Sequence, residues 1–326
     1  MGMVGGVAAG LFMAFSDTYW SNTVEAEVYA PAMFLMVLAL WLALRWQEVH
    51  GERGGDSILL VLVYVLFLGI GVHQTAFLAY FPLFWLFVVI VDRERLFDWR
   101  YWLVTLPLGI VIVISLAEPF MVVAGVLLVI SFMGMEVGSK AYRQRWRFCF
   151  WFVLLALLGY TLQAFIPLRS ALDPAIDENN PDNWERFMAY LERKQYGQTS
   201  MLEGMFRRKG SWLSQFGVHR RMGYWGFFRQ GWAPVSWWPL VVGVGLLGMV
   251  VGWLRERRRW LFLMALMVLC SFVVVLWMNF SDGTRGVQLE VRDRDYFFTP
   301  TYVAFSLWMG LGVSGLLWLV LRYLKG

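Results

Sequence analysis

The stretch Glu290-Val291-Arg292-Asp293-Arg294-Asp295-Tyr296-Phe297-Phe298 sets five charges in its first six residues and then runs into an apolar segment at 300–321. A run of that length, on the order of 20 residues, crosses a bilayer as a helix, so the charges stand at a membrane edge. In a chain that is 59% hydrophobic and only 16% charged, such density asks for a reason. The guanidinium groups of Arg292 and Arg294 are planar forks that suit phosphate or carboxylate. Asp293, Asp295 and Glu290 can orient those forks or handle protons. A solvated loop beside an aromatic belt has the same composition, so the decision between the two rests on the rest of the chain.

Length alone, 326 residues, suggests about two soluble domains. Composition overrules that. Mean hydropathy is +0.57, there are 19 Trp and 26 Phe, and long apolar runs alternate with short charged loops. That is the pattern of an all-α, polytopic helical membrane protein. The weak alternating strands of a membrane barrel are absent. The two cysteines, Cys149 and Cys270, lie in apolar runs and read as packing residues. With three histidines and no Cys/His cluster, no metal site is expected. About ten spans are predicted, near 1–15, 31–46, 58–72, 75–91, 101–117, 119–135, 148–168, 237–254, 260–278 and 300–321. The expected organisation is an N-terminal transmembrane bundle (1–168), an extracytoplasmic segment of interfacial amphipathic helices (169–236) and C-terminal transmembrane helices (237–326).

Orientation follows from Lys and Arg in the short loops. One set of loops holds Arg45 and Arg53, then Arg93, Arg95 and Arg100, then Lys140, Arg143, Arg145 and Arg147, then Arg255 and Arg257 to Arg259, then Arg322 and Lys325. The opposite short loops, 16–30 and the turn at His73, hold none. The basic set is therefore predicted to be cytoplasmic, with both termini inside. The net charge of +5 then reflects topology and not nucleic-acid binding. Everything able to do chemistry falls on the other side.

Residues 1–15 lack a basic residue ahead of the apolar run, so they are no signal peptide. Gly2, Gly6 and Gly10 repeat at four, a spacing that suits close helix packing. A first helix built to pack belongs in the middle of a bundle, so the chain is expected to begin inside a longer protein. Next, Asp17, Glu25 and Glu27 put three carboxylates in a loop with no cation nearby, where a cation or a sugar hydroxyl would satisfy them; Tyr19, Trp20 and Tyr29 also read as interface anchors. His73, in a Gly-rich break, is a functional candidate at membrane depth, or a turn histidine bonded to backbone. In 169–236, Asn180-Pro181 is expected to open a helix that carries Trp184, Phe187, Met188 and Leu191 on one face and ends at Gly197. Basic and aromatic residues then interleave from Arg207 to Arg229, which reads as interfacial helices meeting lipid phosphates. Asn279-Phe280-Ser281 is formally a glycosylation sequon and carries no weight.

Several stretches together resemble one family. They are Phe15-Ser16-Asp17-Thr18-Tyr19-Trp20, Val24-Glu25-Ala26-Glu27-Val28-Tyr29, Gly71-Val72-His73, Asn180-Pro181, Tyr190-Leu191-Glu192-Arg193-Lys194-Gln195-Tyr196-Gly197 and Arg292-Asp293-Arg294-Asp295-Tyr296-Phe297. The chain resembles the multi-pass domain-of-unknown-function family 2723, which includes the transmembrane protein O-mannosyltransferases. The resemblance implies a glycosyltransferase of the C superfamily. Such an enzyme moves a sugar from a polyprenyl-phosphate donor to a protein or glycan acceptor on the extracytoplasmic face, among membrane lipids, with no cofactor. Members place an essential acidic residue in their first outer loop. Here the match begins around the family's third span, which implies that this loop lies upstream of Met1. The expected location is a bacterial inner membrane.

An inverting transfer needs a base for the acceptor hydroxyl and charge stabilisation for the leaving phosphate. The candidate catalytic carboxylates are Glu25, Glu27, Asp17 and Asp295. If the base is not upstream, it comes from these; Asp295 is also expected to orient the two arginines. Arg292 and Arg294 are the candidate donor-phosphate ligands. His73, Trp20, Tyr29, Arg193, Tyr196 and Tyr296 are candidate substrate contacts. Two other classes stay open: a transporter or lipid flippase, which substrate uptake by vesicles would reveal, and a non-catalytic scaffold, which would bind donor without turnover.

Overall fold

The computed structural model describes residues 2–25, 27–113, 117–192, 194, 204, 206–232 and 236–324. Among these there is no strand, and the chain is all-α. Seven helices are long and apolar enough to cross a membrane: Tyr29–Val49, Gly55–Val72, Ala117–Glu136, Lys140–Ser170, Trp238–Arg255, Arg257–Met278 and Asp295–Tyr323. The other three expected spans are the shorter apolar helices Gly2–Ala14 and Trp99–Ile112 and the helix Gln74–Val91. Gly2–Ala14 is short because Ser16 turns to an extended conformation and starts a new helix, Asp17–Val24; its 13 residues rise about 20 Å against a hydrocarbon core of about 30 Å. Lys140–Ser170 begins ahead of the expected start because Ser139 caps it, its hydroxyl accepting from the Tyr142 N–H.

The chain forms two compact units, Met1–Met33 with Thr199–Gly326, and Phe34–Gln198. Residues 169–198 thus fall in the second unit and 199–236 in the first. In the first unit Gly2–Ala14 and Trp238–Arg255 both pack on the Thr299–Tyr323 helix, whose Tyr302, Ala304, Trp308 and Met309 are wholly buried. Glycine permits the approach. A methyl group at Gly248 would overlap the Trp308 carbonyl, and one at Gly312 the Val244 carbonyl. The contact face of Gly2–Ala14 is not the Gly2, Gly6, Gly10 stripe, where a methyl group would meet nothing within 4 Å. It is Gly5, Ala9 and Met13, with Gly5 against Gly310 and Ser314. Both stripes have a period of four; only the second has small residues opposite it.

Arg257–Met278 contains a π-helical turn at Leu269–Val273 and stops at Asn279, which is left-handed at φ 49°. In the second unit, Gly55–Val72 and Ala117–Glu136 pack on Lys140–Tyr160, and Gly159 lies against the Tyr64 carbonyl. The helix expected from Asn180 begins later, at Trp184, and ends at Leu191. Asn183 is its cap, the side chain accepting from the Arg186 N–H at 3.0 Å, while Asn180 is itself left-handed and cannot enter a helix there. Phe187, Met188 and Leu191 are buried with Ala117, but Trp184 is exposed. Gly197 lies outside the described residues.

Gly248→Leu is expected to lower stability by about 3 kcal/mol or more, since backbone cannot move aside. Gly243→Ala, which meets open space, is expected to leave it unchanged or slightly higher. Thermal unfolding in detergent, followed by tryptophan fluorescence, separates the two.

Candidate active site

In the first unit, the short helix Asp17–Val24 and the turn that enters Thr299–Tyr323 meet. Asn22, in the middle of that short helix, is buried. Its Nδ2 donates to the Thr18 carbonyl at 2.7 Å and to Asp295 Oδ2 at 3.2 Å. The Asp17 N–H donates to the Gly231 carbonyl at 2.9 Å. The rings of Tyr29 and Tyr296 lie 4.7 Å apart. Trp20 is stacked on Phe15 at 5.8 Å and is more than half exposed. Glu25 and Glu27 sit between helices in an exposed turn closed by the Glu27 N–H donating to the Glu25 carbonyl at 2.8 Å. The structure therefore joins the two stretches through Asn22 on Asp295 and Tyr29 on Tyr296; Trp20, Glu25, Glu27 and Arg292 take no part in these two contacts. His73 belongs to the second unit, at the C-cap of Gly55–Val72, where its N–H donates to the Gly69 carbonyl. Arg193 and Tyr196 lie outside the described residues.

The two arginines differ. Arg294 Nε and Nη2 donate to Glu290 Oε2 at 2.9 and 2.5 Å, and its Nη1 donates to the Tyr296 hydroxyl at 2.7 Å. Burial disfavours its charge, but the bonds to Glu290 and Tyr296 outweigh that and raise its pKa above the ordinary arginine value. Glu290 is held in turn: its Oε1 accepts from the Ser281 N–H at 3.1 Å. Asp295 does not orient Arg294; Glu290 does, because it lies one helical turn's length before it and has a second donor to fix it. Arg292 is exposed and, among the described residues, has no ion pair. Arg221 adds a third cation, its Nη1 donating to the Val291 carbonyl and standing 3.6 Å from Asp293.

A network of side chains holds this turn in place. Asn279 Oδ1 accepts from the Lys209 N–H and its Nδ2 donates to the Arg207 carbonyl, both at 2.8 Å. The sequon asparagine is thus buried with both amide atoms engaged, so folding closes it to modification. Arg208 caps the Val274–Met278 helix, donating to the carbonyls of Val275 at 3.0 Å and Leu276 at 2.5 Å and to Gln215 Oε1. Burial, and then the charge of Arg285, lowers its pKa. Gln215 Nε2 reaches the Phe280 carbonyl at 2.6 Å. Asp282 accepts from the Ser211 N–H at 2.9 Å and the Thr284 hydroxyl at 2.6 Å. Desolvation works against its charge, but these donors and Ser214 outweigh it and hold its carboxyl well below the usual range. Neither Asn22 nor Gln215 stands out in the sequence as a site residue, since the partners that define them lie far along the chain; Arg208, expected among the basic residues that meet lipid phosphates, is instead buried on backbone carbonyls. Among the described residues, no group of three or more His, Cys, Asp or Glu is placed to hold a metal ion.

A family model described as the protein O-mannosyl-transferase TMEM260 N-terminal domain matches residues 1–96. The match supports an O-mannosyltransferase-like enzyme and hence a glycosyltransferase-like function. No curated protein and no solved structure matches the chain.

Arg208→Met strands two helix-end carbonyls and Gln215, and is expected to cost about 3 kcal/mol or more in thermal unfolding. The depressed carboxyl of Asp282 stabilises the fold above the ordinary carboxylate range, and that contribution is lost as pH falls below about 4. The wild-type melting temperature is therefore expected to fall more steeply on acidification than that of Asp282→Asn.

Proposed function

We propose that this chain is a membrane glycosyltransferase of the C superfamily, within the multi-pass family 2723, that moves a sugar from a polyprenyl-phosphate donor to an acceptor hydroxyl on the extracytoplasmic face. One observation carries the reading. The segment with the O-mannosyltransferase-like match supplies Asn22 and Tyr29, and these bond or stack with Asp295 and Tyr296 of the charged turn. Two stretches some 270 residues apart in sequence, both singled out for their polar content, meet at one place.

The geometry supports the following roles. Asp295 has no cation bonded to it among the described residues and accepts from the Asn22 amide, so it is the base that takes the acceptor proton. The acceptor oxygen then attacks C1 of the sugar. The bond from C1 to the phosphate oxygen breaks, and its electron pair leaves with the lipid phosphate. Arg292, exposed and without an ion pair among the described residues, meets the growing charge on that phosphate, with Arg221 beside it. Arg294, saturated by Glu290 and Tyr296, acts as a brace for Tyr296. Glu25 and Glu27 face the acceptor or the sugar hydroxyls, with Trp20 and Tyr29 as aromatic neighbours and Asp17 at the start of the same helix.

Full-length protein in liposomes is expected to release polyprenyl phosphate from polyprenyl-phosphate mannose when a Ser/Thr peptide is present. Arg292→Ala is expected to raise the donor KM about tenfold or more without changing thermal stability, whereas Arg294→Ala lowers stability as well. Intact transfer in both variants would remove the phosphate assignment.

A further inference from the structure

We infer that Asn22 is a positioning residue for the transfer step, fixing the Asp295 carboxylate as a base; this rests on the transferase reading above. Asn22 is 7% exposed and sits inside a helix, where a buried amide is costly unless its hydrogens are used. Both are used. One donates to the Thr18 carbonyl four residues back at 2.7 Å, which locks the side-chain rotamer. That lock aims the second hydrogen at Asp295 Oδ2, 3.2 Å away.

The partner's chemistry matters as much as the geometry. A guanidinium on Asp295 would also orient it, but would quench its basicity. Two of the nearby arginines are otherwise engaged, Arg294 with Glu290 and Tyr296 and Arg221 with Val291 and Asp293, and the third, Arg292, is exposed. A neutral amide holds the carboxylate without cancelling its charge. The charged and titratable groups around Asp295 are Asp293, Arg294 and Tyr296 in its own turn, Asp17 at the start of the Asn22 helix, Tyr224 and Arg229 on the helix Tyr224–Gln230 that packs on the turn, and Tyr302 in the helix that follows. Among the described residues no cation is bonded to Asp295, and the Asn22 amide is the side-chain donor to its ionised form.

The test is the pH dependence of kcat, read as release of polyprenyl phosphate from polyprenyl-phosphate mannose with a Ser/Thr peptide, for full-length wild type, Asn22→Leu and Asn22→Asp. Loss of the donor makes the carboxylate easier to protonate. The acid limb is therefore expected to move to higher pH in Asn22→Leu, and further in Asn22→Asp, where a second carboxylate faces the first. kcat is expected to fall about tenfold or more, with donor KM changed less than about twofold. Asn22→Asp, close to isosteric, carries the test if Asn22→Leu does not fold. Variants that lose activity in proportion to melting temperature, with the acid limb unmoved, would make Asn22 a packing residue and overturn the inference alone. A wild type that turns over no donor would overturn the transferase reading, and this inference with it.

Discussion

The first unit depends on how closely backbones approach along the Thr299–Tyr323 helix. Lipid chains are as apolar as leucine, so helices in a bilayer gain little from hiding apolar surface and instead gain from tight contact. Gly248 and Gly312 on one side, and Gly5 and Gly310 on the other, let carbonyls face main chain where any side chain would intrude. Wholly buried Trp308, Phe305 and Tyr302 fill the remaining space. The charged turn leads directly into the Thr299–Tyr323 helix, and the short Asp17–Val24 helix packs on the turn.

Charge at the turn is distributed by partner. Glu290 takes Arg294 through Nε and Nη2 and is itself fixed by Ser281, so this pair supports shape. Asp293 shares Arg221 with a backbone carbonyl. Among the described residues of the turn, that leaves one exposed cation, Arg292, and one carboxylate held by an amide, Asp295. An enzyme that handles a phosphate leaving group and a hydroxyl proton needs one of each kept out of permanent ion pairs. In a stretch this rich in charge, neutralisation is the easy outcome, and the two exceptions are where chemistry is best sought.

Much of this was legible in the sequence. The all-α class and the ten helical segments follow from apolar length, because a bilayer leaves the backbone few alternatives. The Lys and Arg distribution put the Asp17–Tyr29 stretch and the Arg292–Phe298 turn on one face, and the contacts of Asn22 with Asp295 and of Tyr29 with Tyr296 give that a physical form. What stayed hidden depended on distant partners. Nothing local distinguishes Gly5 from Gly6 as the packing glycine; the choice lies in Gly310 and Ser314. Glu290 and Asp295 are both acidic neighbours of Arg294, and composition cannot say which one it takes. Asn180 looked like a cap because it precedes proline, but its left-handed backbone passes the role to Asn183.

The Arg208 cap also constrains how the protein is made. Its carbonyl partners at Val275 and Leu276 lie 67 and 68 residues further along the chain, and the Asn279 side chain that ties the neighbouring backbone comes later still. At ribosomal rates of about 5 to 20 residues per second, that is a wait of roughly 3 to 14 s. During that interval the guanidinium has no such helix end to cap. A chain cut after residue 274 would lack both carbonyls. The loop that carries Arg208 therefore takes its final form only after the helix ending at Met278 has been made.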